Sequence, residues 1–157
     1  MIKFRSMEEI LAFALHKEEA SYRFYTDMAR MIEDETVSRL FEDFANEELG
    51  HREQLQLEIM KTGKVVSADD DWSDRTRAEY TVEGDLVEGD LTEDFSYTDA
   101  LKLAIEKETA AFKLYIDLLK LTENPEAIEM FTALAEDEVR HKIGFQSAYE
   151  EHTHQQH

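Results

Sequence analysis

Laid over each other at an offset of 90, positions 10–51 and 100–141 of this 157-residue chain carry the same residue at twelve places with no gap. The identities are Leu11/Leu101, Ala14/Ala104, Lys17/Lys107, Glu18/Glu108, Ala20/Ala110, Tyr25/Tyr115, Asp27/Asp117, Glu33/Glu123, Phe41/Phe131, Ala45/Ala135, Glu48/Glu138 and His51/His141. Composition alone would give only a few. The chain therefore reads as one unit written twice, and a duplicated unit implies approximate twofold symmetry in the folded core.

The repeated unit is helical. Leu11, Ala14, Glu18, Ser21, Tyr25 and Met28 step by three and four, as do Val37, Phe41, Phe44, Glu48, His51, Leu55 and Ile59. The second copy repeats both rows, with Leu101, Ala104, Glu108, Ala111, Tyr115 and Leu118, then Ala127, Phe131, Leu134, Glu138, His141, Phe145 and Ala148. Each row is the inward stripe of an amphipathic helix. Ser6 with Glu9 and Ser96 with Asp99 have the spacing of capping pairs. Asn124-Pro125 places a capping side chain before a proline at the first helical position, where its missing N–H costs nothing. Gly63 is a helix stop. Short connections near 32–36 and 122–125 make each pair of helices an antiparallel hairpin.

The expected fold is all-α: a four-helix bundle over 1–150, with hairpin 1 at about 6–61 and hairpin 2 at about 96–149. Between them, 62–95 is acidic, contains glycine and lacks a sustained period. It reads as the long crossover that some bundles carry, with short β-like pieces at 80–82 and 85–87 and with Trp72 folding it onto the bundle. Residues 151–157 read as a disordered tail. With 42% apolar residues the chain can fill one domain core.

Six of the repeated positions carry chemistry. Glu18, Glu48, His51, Glu108, Glu138 and His141 all lie on the inward stripes, where an unpaired charged carboxylate costs several kcal/mol. Glu18 and Glu48 each stand about 15 residues from the turn near residue 33. At about 1.5 Å per residue they reach the same height, and Glu108 and Glu138 do so around the turn near 123. Each His follows its Glu by three residues and projects from the same helix face. No Lys or Arg falls on these rows to offset the carboxylates. Two divalent cations would: one Glu from each of two helices plus Glu-x-x-His from each of the other two is the donor set of di-iron and di-manganese carboxylate bundles. In such a set each His ligates one metal, and Glu48 and Glu138 are the expected bridges. Carboxylate and imidazole suit iron, and also manganese or a mixed iron–manganese pair. The chain has no cysteine, which excludes thiolate zinc sites, iron–sulfur clusters and disulfides. One Glu-x-x-His would mean little among 24 Glu and 6 His; the Glu151/His154 pair in the tail is of that kind. Two on inward stripes, each 30 residues after an inward Glu, mean a great deal. Tyr25 and Tyr115 lie two turns beyond Glu18 and Glu108. They read first as core aromatics, and second as groups that hydrogen-bond the ligands or relay an electron.

The segments Ala14-Leu15-His16-Lys17-Glu18-Glu19-Ala20 to Tyr25, Ala45-Asn46-Glu47-Glu48-Leu49-Gly50-His51, Ala104-Ile105-Glu106-Lys107-Glu108 to Tyr115, and Ala135-Glu136-Asp137-Glu138-Val139-Arg140-His141 resemble the rubrerythrin branch of the ferritin-like superfamily. The resemblance covers about 4–60 and 96–150. It implies a non-haem di-iron protein that reacts with hydrogen peroxide or oxygen, often in anaerobe oxidative-stress defence, and usually a homodimer or larger. Two departures stand out. Rubrerythrins proper carry a further Glu one turn after the third-helix ligand, where this chain has Ala111, so the site looks more like the six-ligand arrangement of bacterioferritins. They also carry a four-cysteine rubredoxin module, absent here, so electrons are expected from a separate donor such as a rubredoxin-like or flavin protein.

The leading expectation is thus a peroxide- or oxygen-reducing di-iron oxidoreductase. The alternatives are a ferroxidase serving iron storage or handling, a non-enzymatic metal-binding bundle, and an oxygenase acting on an organic substrate. The formal charge of −20 argues against nucleic acid or an anionic membrane as partner. No apolar run is long enough to span a bilayer and no signal peptide opens the chain, so the expected location is the cytoplasm.

Overall fold

A computed structural model of the chain describes residues 7–61 and 96–155. Among them are four α-helices and no strand: α1 (Met7–Met31), α2 (Glu35–Lys61), α3 (Tyr97–Leu119) and α4 (Pro125–Gln155). The chain divides into two compact units, the first holding α1 and α2 and the second α3 and α4. The crossover at 62–95 with its β-like pieces and Trp72, the Ser6 cap and the Gly63 stop lie outside the described residues.

In the first unit α1 and α2 fold back on each other around residues 32–34. Asp34 starts α2: its side-chain Oδ1 accepts from the Val37 N–H at 3.0 Å and its carbonyl accepts from the Ser38 N–H at 2.8 Å. The Ser38 hydroxyl then donates to the Ala29 carbonyl at 2.6 Å, tying the new helix to the end of the old one. Leu11, Leu15, Tyr25 and Met28 of α1 are buried, as are Phe41, Leu55 and Ile59 of α2. Each such side chain contributes roughly 1.5–3 kcal/mol by leaving water.

The second unit repeats this plan. Ser96 and Asp99 form the expected capping box at the start of α3. After the α3 C-cap at Lys120, the Asn124 side chain accepts from the Glu126 and Ala127 N–H groups at 2.9 and 3.2 Å, and Pro125 is the first residue of α4. Leu101, Leu114, Leu118, Phe131 and Phe145 form the buried face.

α4 runs on to Gln155 and so overturns the reading of 151–157 as a disordered tail for all but its last two residues, which lie outside the described ones. The Tyr97 hydroxyl is hydrogen-bonded to His152 Nδ1 and their rings are in contact, which fixes the last turns of α4 against the start of α3. Nothing in the periodicity of Glu, His, Thr and Gln announces a contact that is made 55 residues away. No described helix is long and apolar enough to cross a membrane.

Candidate metal centre

Glu18 on α1 faces Glu48 and His51 on α2 inside the first unit. All three are buried, at 2%, 0% and 5% exposure. The equal counting distance from the turn accounts for their meeting, since a hairpin folded at residues 32–34 brings positions about 15 residues either side of it to one level. His51 Nδ1 stands 3.5 Å from Glu18 Oε2 and 3.5 Å from Glu48 Oε2. One donor atom from each of the three lies within 4.8 Å of the other two.

The second unit holds the same triad. Glu108, Glu138 and His141 are buried at 1%, 1% and 0%, His141 Nδ1 stands 3.6 Å from Glu108 Oε1, and one donor atom from each again lies within 4.8 Å of the others.

These separations fit a metal better than a hydrogen-bonded network. A charge-assisted N–H···O bond would draw nitrogen and oxygen to about 2.7–2.9 Å. Donors each roughly 2.1 Å from one ion stand roughly 3–3.5 Å apart. The three histidine–glutamate separations, 3.5–3.6 Å, lie nearer the second spacing, and the donors are all carboxylate oxygen and imidazole nitrogen, the set suited to iron or manganese. Nδ1 is the histidine atom turned toward the carboxylates in both copies.

Tyr25 and Tyr115 are fully buried, and each packs against an aromatic ring. Tyr25 lies with its ring centroid 5.8 Å from that of Phe41, and Tyr115 with its centroid 6.1 Å from that of Phe131. The core reading of both residues holds.

Two residues were missed as neighbours of the centre. The sequence rows leave Lys and Arg off the inward stripes, yet Lys107 is only 7% exposed and Lys17 is half-buried. Burial lowers the pKa of Lys17 from 10.5 to about 8, with the adjacent Glu18 carboxylate opposing the shift. Lysine can do this because its four-carbon stem packs as apolar surface. The available signal was the repeat itself, in which Lys17 and Lys107 are matched. Beside the first triad, Glu19 also forms ion pairs with Arg52 at 2.6 Å, which links α1 to α2, and with Arg23 at 3.3 Å. The second copy has Thr109 and Lys142 where the first has Glu19 and Arg52.

The family model for rubrerythrin matches residues 9–149. No curated protein matches the sequence. Among solved structures, a hypothetical protein from Pyrococcus furiosus superposes with a TM-score of 0.69 at 19% identity, over 93% of this chain and 89% of that one.

Proposed function

Given that the chain belongs to the rubrerythrin family, whose fold is the ferritin-like four-helix bundle, we propose that its two triads are the halves of one binuclear centre and that it reduces hydrogen peroxide, or oxygen, there. The observation that carries this reading is the pair of buried Glu–Glu–His triads with metal-like donor spacing. Four carboxylates balance two divalent ions in charge, and Glu48 and Glu138 are the expected bridges. Two iron ions held there would supply the two electrons that turn one peroxide and two protons into two waters, and a separate donor protein would return them.

The chain's own residues do the rest. The glutamates and histidines hold the ions, and the surrounding Phe and Leu side chains exclude bulk water, which strengthens every electrostatic interaction inside. Ala111, buried one turn beyond Glu108, supplies no fifth carboxylate, which supports a symmetric six-ligand arrangement.

Stopped-flow oxidation of the anaerobically Fe²⁺-loaded protein tests the reading. Peroxide is expected to react much faster than O₂. Fast O₂ uptake with growth of a ferric mineral would instead establish a ferroxidase, and failure to retain iron would leave a structural bundle.

A further inference from the structure

The two copies share their six candidate ligands and differ in the side chains that stand directly beside them. Glu19 and Arg52 each follow a member of the first triad, Glu18 and His51, so they lie at its level on their helices and to one side of it. Glu19 Oε2 stands 2.6 Å from Arg52 Nε, and its other oxygen, Oε1, stands 3.3 Å from Arg23 Nε. With both oxygens engaged and only 18% of its side chain exposed, Glu19 is held in one orientation. The ion pair is a strut from α1 to α2 at the height of the triad.

The second hairpin cannot form that strut. Thr109 and Lys142 take the places of Glu19 and Arg52. The Thr109 hydroxyl donates to the Ile105 carbonyl of its own helix at 2.8 Å and offers Lys142 no charge. Tyr97 and His152 do tie α3 to α4. Each of them is eleven residues from its triad member, Glu108 or His141, which is about 16 Å along the helix.

We propose, building on the reading of the triads as metal ligands, that Glu19 and Arg52 are positioning residues. They make the first triad the tighter of the two cation sites, the one that a single divalent ion fills first. Two carboxylates gathered for an ion repel each other and push their helices apart. A strut at that height resists the separation, so the free energy of binding is not spent on closing the hairpin. Groups that orient metal ligands in this way change affinity by roughly 10–100-fold. Coulomb forces alone give Arg52 the opposite sign, because a guanidinium beside the site repels a cation and its removal would tighten binding. The direction of the Arg52 effect therefore separates a strut from a simple charge.

Zn²⁺ added to the metal-free full chain tests the proposal, with affinity read by calorimetry and occupancy by the ring-nitrogen NMR signals of His51 and His141. One equivalent is expected to shift the His51 signals first, and the first ion should bind at least roughly tenfold more tightly than the second. Arg52→Gln and Glu19→Gln should each weaken the first step about tenfold and spread one equivalent over both histidines, with helicity unchanged. Lys142→Gln, the matched change in the second hairpin, should weaken neither step. A wild type in which His141 shifts before His51 overturns the proposal. So does an Arg52→Gln variant that binds the first ion as tightly as the wild type, or more tightly. Zn²⁺ that shifts neither histidine overturns the metal reading of the triads itself, and this proposal with it.

Discussion

Tyr25 meets Phe41 in the first hairpin and Tyr115 meets Phe131 in the second, with ring centroids 5.8 and 6.1 Å apart. The helix caps match as well, although the residues do not. Asp34 Oδ1 accepts from the Val37 N–H, and 90 residues later Asn124 Oδ1 accepts from the Ala127 N–H. The outer face shows the opposite behaviour, with Glu53 replaced by Ile143 and Thr26 by Ile116. A duplicated hairpin keeps what its interior constrains. The six candidate ligands and the Tyr–Phe pairs are the same in both copies, while other buried positions exchange one apolar residue for another, as Met28/Leu118, Phe44/Leu134 and Leu55/Phe145 do. The solvent face need not stay apolar, so there the copies diverge in polarity and charge as well. The ion pair Glu19–Arg52, present beside one triad only, belongs to that divergent class.

If the comparison is sound, matched substitutions should have matched effects. The largest concerns the metal. Glu48→Ala and Glu138→Ala should each abolish binuclear binding, read as iron per chain after anaerobic loading, while the metal-free fold is kept because a buried carboxylate and its desolvation cost are removed together. Unchanged stoichiometry in both refutes the ligand assignment; loss in only one breaks the equivalence of the halves.

Next come the aromatic partners. Phe41→Ala and Phe131→Ala should each destabilise the protein by about 3–5 kcal/mol, measured by urea unfolding. A difference between them larger than about 2 kcal/mol would show that one hairpin carries more of the core than the other.

Lys17 sharpens the comparison through pH. Its folded pKa of about 8 lies below the ordinary 10.5, so between these values the unfolded chain binds more protons and stability rises with pH. The cost of burying the ammonium is fully present below pH 8 and is relieved toward pH 10.5. In the metal-free protein, Lys17→Met should therefore stabilise by about 2 kcal/mol at pH 7, and the gain should shrink by pH 10. An equal gain at both values would show that Lys17 keeps its ordinary pKa.

The smallest effect is at the caps. Asp34→Ala and Asn124→Ala should each cost about 1 kcal/mol, and Asp34→Asn should cost almost nothing, since Asn performs the same task in the second copy. A large loss for Asp34→Asn would mean that the carboxylate charge, not its hydrogen bond, starts α2.

Much of this was legible in the chain. The helix rows, both turns, the Ser96 capping box and the Asn124-Pro125 start are local patterns, and local patterns are written in neighbouring residues. The six candidate ligands were legible because counting from a turn fixes height. Lys17 and Lys107 were not, because helical rows sort residues by direction and cannot show that a long apolar stem beside the stripe packs against the core. The helical end of α4 was missed for a different reason: its anchor, Tyr97, belongs to another helix.

By itself, then, the sequence determined the duplication, the four helices, the two hairpins and the six inward donors, all of which follow from spacing along the chain. The tertiary structure alone decided that the histidine and glutamate atoms stand 3.5–3.6 Å apart, and that Ile143 and Phe112 face solvent. Those facts depend on how one helix settles against the next, and a distance between side chains on separate helices is set by the packing of everything between them.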